Sequence, residues 1–206
     1  MSETLDTSES LQNVLESCWA MLEAGVRDRR TPFHLPTLCT VAPDTSPSTR
    51  VVVLREANPE SRVLRCHTDK RSSKVEHIQA NDRVAWLFYD PSAMTQIRLN
   101  GRAKVHAQDE IAKAAWESSQ LTSRRCYLAP AAPGSAADAP SPNLPEEFRS
   151  GVPSEDESAP GFENFAVIRT IADEIDWLHL GSRGHRRAKF AWGSGEKVNV
   201  STWAEP

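Results

Sequence analysis

Cations stand at both ends of the stretch from Arg50 to Lys74, RVVVLREANPESRVLRCHTDKRSSK, with strand and helix signals between them. Arg50 and Arg55 flank Val51, Val52, Val53 and Leu54, a run with strong strand character. Asn58-Pro59-Glu60 supplies turn chemistry ahead of a second apolar run at Val63-Leu64, so a hairpin is expected. After His67-Thr68 the chain turns polar, and Ser73 with Glu76 three residues later fits a capping box opening a helix over Lys74–Ala80. Unpaired backbone N–H groups at a helix start attract anions. Lys74 in the first turn opposes the helix dipole, an unfavourable choice that an anion held between it and Arg50 would explain. An ordinary capped surface helix with a solvated lysine accounts for the same residues, and this segment alone does not separate the two.

The elements that must position these groups follow from hydrophobic period. Leu11, Val14, Leu15, Cys18, Trp19 and Leu22 recur at helical spacing, which predicts an amphipathic helix from about Glu9 to Gly25. Strand-like segments follow at Thr37–Val41, Arg50–Glu56, Arg62–Thr68, Arg83–Tyr89 and Gln96–Ala107, punctuated by Pro43/Asp44, Asn58/Pro59 and Asp90/Pro91. Asp109–Leu121 reads as helix, with Ile111, Ala115 and Trp116 on one side. From about 130 to 161 the chain is rich in Pro, Ala, Ser and acids, a composition that favours a mobile, partly ordered excursion over a second domain. Strands resume at Phe165–Thr170, Glu174–Leu180 and Arg187–Trp192, with a short last one at Val198–Thr202. Strands on both sides of a helical middle predict a single α+β domain over residues 1–206, mainly antiparallel β, with a barrel-like sheet closed by terminal strands.

Composition narrows the chemistry. The balance of 39% hydrophobic and 25% charged residues is that of a soluble globular chain, and no apolar run nears the roughly 18 residues of a membrane span. The acidic start MSETLDTSES lacks the basic and apolar parts of a secretory signal, so a cytoplasmic protein is expected. Cys18, Cys39, Cys66 and Cys126 are widely spaced and the six histidines are scattered, which points to reduced thiols and no metal. Charge is uneven: Asp138, Glu146, Glu147, Glu155, Asp156, Glu157 and Glu163 face only Arg149. At an overall net charge of −4 the rest of the chain is therefore net positive, with clusters at Arg50/Arg55, Lys70/Arg71/Lys74, Arg124/Arg125 and Arg183/Arg186/Arg187/Lys189. That pattern suits a small anionic ligand; no continuous basic stripe with interleaved aromatics supports nucleic acid.

Taken together, Arg50 to Arg55, His67-Thr68 with Ser72-Ser73-Lys74, Gln96-Ile97-Arg98-Leu99-Asn100-Gly101 and Arg183-Gly184-His185-Arg186-Arg187 resemble the pyridoxamine 5′-phosphate oxidase family of FMN-binding split barrels. The likeness runs from roughly Pro36 to Pro206, and several separated motifs match at once. It implies a six-stranded FMN-binding split barrel with flanking helices, a homodimer, and one FMN in each of two clefts at the subunit interface. By resemblance, Arg50 and Lys74 are the cations for the FMN phosphate, with Ser72 and Ser73 beside them; Ser73 stands where the family commonly has another arginine, which implies a weaker hold on the cofactor. Val51, Val52, Val53, Leu54 and Arg55 correspond to the strand whose backbone borders the flavin ring, His67 and Thr68 replace a tyrosine–threonine pair, and Gln96 matches a glutamine that hydrogen-bonds the flavin. Trp177 and Arg187 match flavin contacts made across the dimer, although Trp177 fits core packing equally well. Arg183 and His185 occupy the R-x-H positions that hold substrate over the flavin and are the candidate catalytic pair.

The substrate side departs from the family. Where the vitamin-B6 oxidases place a lysine, tyrosine, arginine and serine around the substrate phosphate, this chain aligns Arg55, Trp116, Gln120 and a residue among Thr122 to Arg124, with Arg124 or Arg125 as substitutes. Weak turnover of pyridoxine or pyridoxamine 5′-phosphate is the expectation that follows. The resulting reading is a divergent FMN-dependent oxidoreductase acting on a small anionic substrate; the alternative is a non-catalytic flavin or haem binder of the same fold.

Overall fold

A computed structural model describes residues 10–193 and 198–206; Glu9, the expected first residue of the opening helix, lies outside the described residues. Helix α1 (Leu11–Arg27) begins at Ser10, whose Oγ accepts a hydrogen bond from Asn13 N at 3.1 Å. Its apolar stripe, Val14, Leu15, Cys18, Trp19 and Leu22, is buried in the main core, each large side chain contributing on the order of 1.5–3 kcal/mol.

Nine strands form one antiparallel sheet among the described residues: β1 (Thr37–Val41), β2 (Pro47–Val51), β3 (Leu54–Asn58), β4 (Val63–Asp69), β5 (Arg83–Asp90), β6 (Thr95–His106), β7 (Phe165–His179), β8 (Arg186–Trp192) and β9 (Val198–Ala204). The order is β2-β1-β5-β6-β7-β4-β3, with β8 on the far half of β7 and β9 on β8. The edges β2 and β3 are joined by Val52 and Val53 alone, and three Cα steps of about 3.8 Å cannot bridge a flat sheet. The sheet therefore curls until its edges meet, and the barrel-like architecture follows. Leu38, Leu54, Leu64, Trp86, Phe88, Ile97, Leu99, Ile168, Ile175 and Phe190 fill its interior.

Two expected strands take a different form. Arg50–Glu56 is not one strand but a corner: Arg50 and Val51 finish β2, Val52 donates its N–H to Pro36 O at 3.0 Å, and Leu54 opens β3 against Cys66. The β-branched run thus links the two sheet edges. Conversely, the break expected between Thr170 and Glu174 is absent, because Ile171 and Ala172 stay in register with Arg102 and Gly101 of β6. Gly101 sits at a bulge in that pairing, where a Cβ would overlap the Ile171 carbonyl.

The helix expected over Asp109–Leu121 stops early. α3 spans Glu110–Glu117, and the hydroxyls of Ser118 and Ser119 turn back onto Ala115 O before α4 (Leu121–Arg124) begins. α3 buries Ala112, Ala115 and Trp116 in a second cluster with Phe165 and Val167, on the opposite face of β7. α2 (Ser73–Ala80) follows β4, and α5 (Glu155–Ser158) opens with a capping box between Ser154 and Glu157. The acidic excursion is exposed over most of 130–152, whereas its last part packs: Ser158 and Gly161 are buried and Phe162 joins the second cluster. No helix among the described residues is long and apolar enough to cross a membrane.

Candidate functional site

The cations at the ends of the first motif meet. Arg50 leaves β2 toward the barrel interior, where Nη1 donates to Thr40 Oγ1 at 2.8 Å and Leu38 O at 3.2 Å, and Nη2 to Ser48 Oγ at 2.6 Å. Lys74, in the first turn of α2, donates to Ser72 Oγ at 2.9 Å and Thr68 Oγ1 at 3.0 Å. Every one of these partners is a neutral oxygen, and neither cation forms a salt bridge within the described residues. Asp69 could have neutralised Lys74, but its carboxylate is taken by Arg71, with Oδ2 2.7 Å from Nη2. Burial followed by repulsion from Arg50 lowers the Lys74 pKa; burial lowers that of Arg50 as well. Both charges act on Cys66, but burial pushes its thiol up to about 12, so it is neutral and not a counter-ion.

The helix start beside them lacks a side-chain cap. Ser72, not Ser73, is the N-cap residue, and its Oγ donates to Asp69 O at 2.7 Å and accepts from Lys74. The expected capping box is therefore absent: the hydroxyl is spent on the lysine, and the first-turn N–H groups keep no side-chain acceptor. Two partly desolvated cations and an uncapped helix start form a positive site suited to a phosphate.

His67 and Arg55 lie elsewhere. Alternation along β4 sends Cys66 and Thr68 one way and Arg65 and His67 the other. With Arg55 they line a cavity of about 310 Å³ together with Arg27, Arg29 and His34 from α1 and the turn after it. Ser118, Ser119, Gln120 and Ser123 supply hydroxyls and an amide, and no carboxylate of the described residues contributes. Burial, then the charges of Arg65 and Arg55, lowers the His67 pKa to about 3, so its ring is neutral. Among the residues expected to hold a substrate phosphate, Arg55, Gln120 and, from the Thr122–Arg124 stretch, Ser123 reach this cavity. Trp116 is buried among Tyr127, Phe162 and Phe165. Arg124 donates to Trp116 O and Glu117 O, Arg125 to Gly151 O, and neither lines the cavity. Arg27, Arg29 and Arg65 were not legible as site residues, because no motif marks them.

The C-terminal motif sits on the β7–β8 hairpin. Arg183 and His185 are exposed in its turn, beside Gly184 at φ 130°. Neither lines the cavity. Arg187 is gripped in a bidentate pair by Asp176, Nε to Oδ1 at 2.9 Å and Nη2 to Oδ2 at 2.7 Å, and Arg98 completes the group. Burial raises the Asp176 pKa, but the hydrogen bonds of Arg187 and Arg98 outweigh it and the net shift is downward. Trp177 is 6% exposed and points into the barrel, enclosed by His179, Trp203 and the Arg186 guanidinium. Gln96 pairs with Tyr89 and Leu178, and Leu178 with Arg187, so Gln96 and Arg187 share the outer face.

Known proteins resemble this chain in sequence and fold. Residues 16–107 match the family model described as pyridoxamine 5′-phosphate oxidase, FMN-binding domain, a range that includes Arg50, Lys74 and Gln96 and ends before Arg183. Pyridoxine/pyridoxamine 5′-phosphate oxidase 2 of Arabidopsis thaliana is 28% identical over 181 residues, 82% of this chain and 85% of that one. Pyridoxine/pyridoxamine 5′-phosphate oxidase of Erythrobacter litoralis is 37% identical over 98 residues, 48% of this chain and less than half of that one, 44%. Among solved structures, a pyridoxamine 5′-phosphate oxidase-related, FMN binding protein from Nostoc punctiforme superposes with a TM-score of 0.74 over all of both chains at 20% identity, a likeness of fold.

Proposed function

We propose that this chain, which belongs to the pyridoxamine 5′-phosphate oxidase-like split-barrel family, is an FMN-dependent oxidoreductase working as a cytoplasmic homodimer. One observation carries the reading: Arg50 and Lys74 are partly buried together, hydrogen-bonded among the described residues only to neutral oxygens, beside an uncapped helix start. Buried cations without an anion are costly, and a phosphate monoester offsets that cost. Arg50, Lys74, Ser72, Ser73 and Thr68 would hold the FMN phosphate, and the Val51–Leu54 corner, whose residues Val52 and Val53 lie outside the strand ladder, would border the ring with its backbone. When bound, FMN supplies the hydride-accepting chemistry.

The protein's own part is binding and orientation. Gln96 and Arg187 offer hydrogen-bond donors from the outer face, with Asp176 and Arg98 fixing the Arg187 guanidinium. On that face Val51 is 62% exposed, Leu87 40% and Tyr89 42%, an apolar patch that a second subunit would cover. Thr37 pairs with both Val51 and Leu87, and Leu87 with Arg98, so the patch continues into the Arg98–Asp176–Arg187 group. Across such an interface Arg183 and His185 would hold the substrate and manage its proton. Four free cysteines fit a reducing compartment.

The test is extraction of the native protein followed by identification of the released chromophore. FMN at about one equivalent per chain is the expected result. A colourless protein that also takes up no added FMN would end this reading, and haem would replace it with the cofactor-carrier alternative.

A further inference from the structure

The cavity behind Arg55 carries the chain's greatest departure from its expected substrate side. Four buried side-chain nitrogen or oxygen atoms lack a hydrogen-bond partner among the described residues, and three of them, Arg55 Nε, Arg65 Nε and His67 Nε2, belong to residues lining this one cavity. Arg65 Nε lies 3.1 Å from Glu56 Oε2 without hydrogen-bond alignment, so its charge is balanced while its donor is not. Arg27, Arg29 and Arg55 form no salt bridge within the described residues, and Asp28, the nearest acid in sequence, is bound by Arg30 at 2.9 Å. Gln120 is also accounted for: its Oε1 accepts from Arg29 Nη2 at 2.9 Å across 91 residues of sequence.

The turn after α1 is locked in place. His34 Nδ1 lies 2.7 Å from Gly25 O, and Phe33 packs so close to Gly25 that a Cβ there would meet the Phe33 backbone at 2.7 Å. The 27–29 segment is thus held over the cavity by its own helix. Guanidinium groups without carboxylates, flanked by serine hydroxyls, are the donor set for an oxyanion bearing two charges.

We propose that Arg27 and Arg29, with Arg55, form the anion-binding end of the substrate site, selecting a substrate with a dianionic group, a phosphate monoester or a dicarboxylate; Gln120 is a positioning residue that holds Arg29 and does not touch the ligand. This rests on the flavin reading only for where the rest of the substrate lies. It removes the basis for expecting a site stripped of phosphate partners: with a hydroxyl absent at Trp116 and a guanidinium absent at Gln120, cations come instead from a segment about ninety residues earlier.

The experiment is calorimetric titration of FMN-loaded protein, whose flavin-phosphate site is filled, with inorganic phosphate, malonate and acetate. Phosphate or malonate should bind at least about tenfold tighter than acetate, and the preferred dianion identifies the source. The Arg27→Ala/Arg29→Ala variant should weaken the dianion about tenfold or more, leaving FMN affinity unchanged. Gln120→Ala should weaken it less, and Arg30→Ala, altering a side chain 90% exposed and tied to Asp28, should not change it. If the protein takes no FMN, the same titration on Arg50→Ala/Lys74→Ala tests the cavity alone. Equal binding of acetate and dianions, or unaltered dianion affinity in folded Arg27→Ala/Arg29→Ala, overturns the proposal.

Discussion

At the level of residues, the meeting of Arg50 and Lys74 was legible because it is local: Thr68, Ser72 and Lys74 span one strand end and one helix turn, and Arg50 is one hairpin away. Which serine caps the helix was not, since Ser72 and Ser73 are chemically equal until Lys74 claims one of them. Arg27, Arg29 and Arg65 stayed hidden because their neighbourhood is tertiary. Two groups here titrate on the acid side. The His67 pKa is lowered from 6.5 to about 3, so above pH 6.5 the ring is neutral folded or unfolded and contributes nothing to the pH dependence. As pH falls from 6.5 toward 3 only the unfolded chain takes the proton, and stability is lost by up to about 1.4 kcal/mol per pH unit, less to the extent that water reaches the ring. Asp176, lowered from 3.8, keeps its contribution above that value and loses it below. Urea midpoints for wild type and His67→Gln should converge as pH drops from 6.5 to 4.5, because only wild type carries the histidine penalty; parallel curves would show that His67 is protonated in the fold.

At the level of elements, hydrophobic period found α1 and the body of α3 and read nine strand segments, but not the short α5 or where a strand turns a corner. Arg50–Glu56 reads as one run because Val51, Val52 and Val53 carry strong strand propensity, whereas the split at Val52 and Val53 is imposed by barrel closure. The apparent break at Ile171–Asp173 comes from local composition, which cannot register β6 alongside. Gly101→Ala should cost more than about 2 kcal/mol, since its Cβ would have to displace the Ile171 carbonyl within the longest strand pairing. A thermal midpoint within 2 °C of wild type would contradict that packing. The acidic excursion divides in two on burial: residues 131–152 are mostly exposed, while Pro153, Ser158 and Gly161 are buried. Limited proteolysis should cut within 131–152 first and leave the barrel folded. Early cleavage after Phe162 would mean that the second cluster opens more readily than its aromatic contacts imply.

At the level of the whole molecule, the outer face of β2-β1-β5-β6 joins an apolar patch to the Arg98–Asp176–Arg187 group, while Arg50 and Lys74 lie on the inner side of the same barrel wall. A shared site needs both sides, one from each subunit. Mixing Arg50→Ala subunits with Arg187→Ala subunits should therefore recover FMN binding in the heterodimers that pair two intact halves, read as flavin retained on gel filtration. No recovery, or a monomer that keeps FMN at high dilution, would place the whole site within one chain. The central claim is that the flavin is held by its phosphate at Arg50 and Lys74. It is tested most directly by measuring FMN and riboflavin affinities side by side in wild type and in folded Arg50→Ala/Lys74→Ala. Two charge-assisted contacts of about 1.5–3 kcal/mol each predict that wild type prefers FMN by roughly 10²–10⁴-fold and that the preference collapses in the double variant; equal affinity for riboflavin and FMN in wild type, or a preference that survives loss of both cations, would contradict the account.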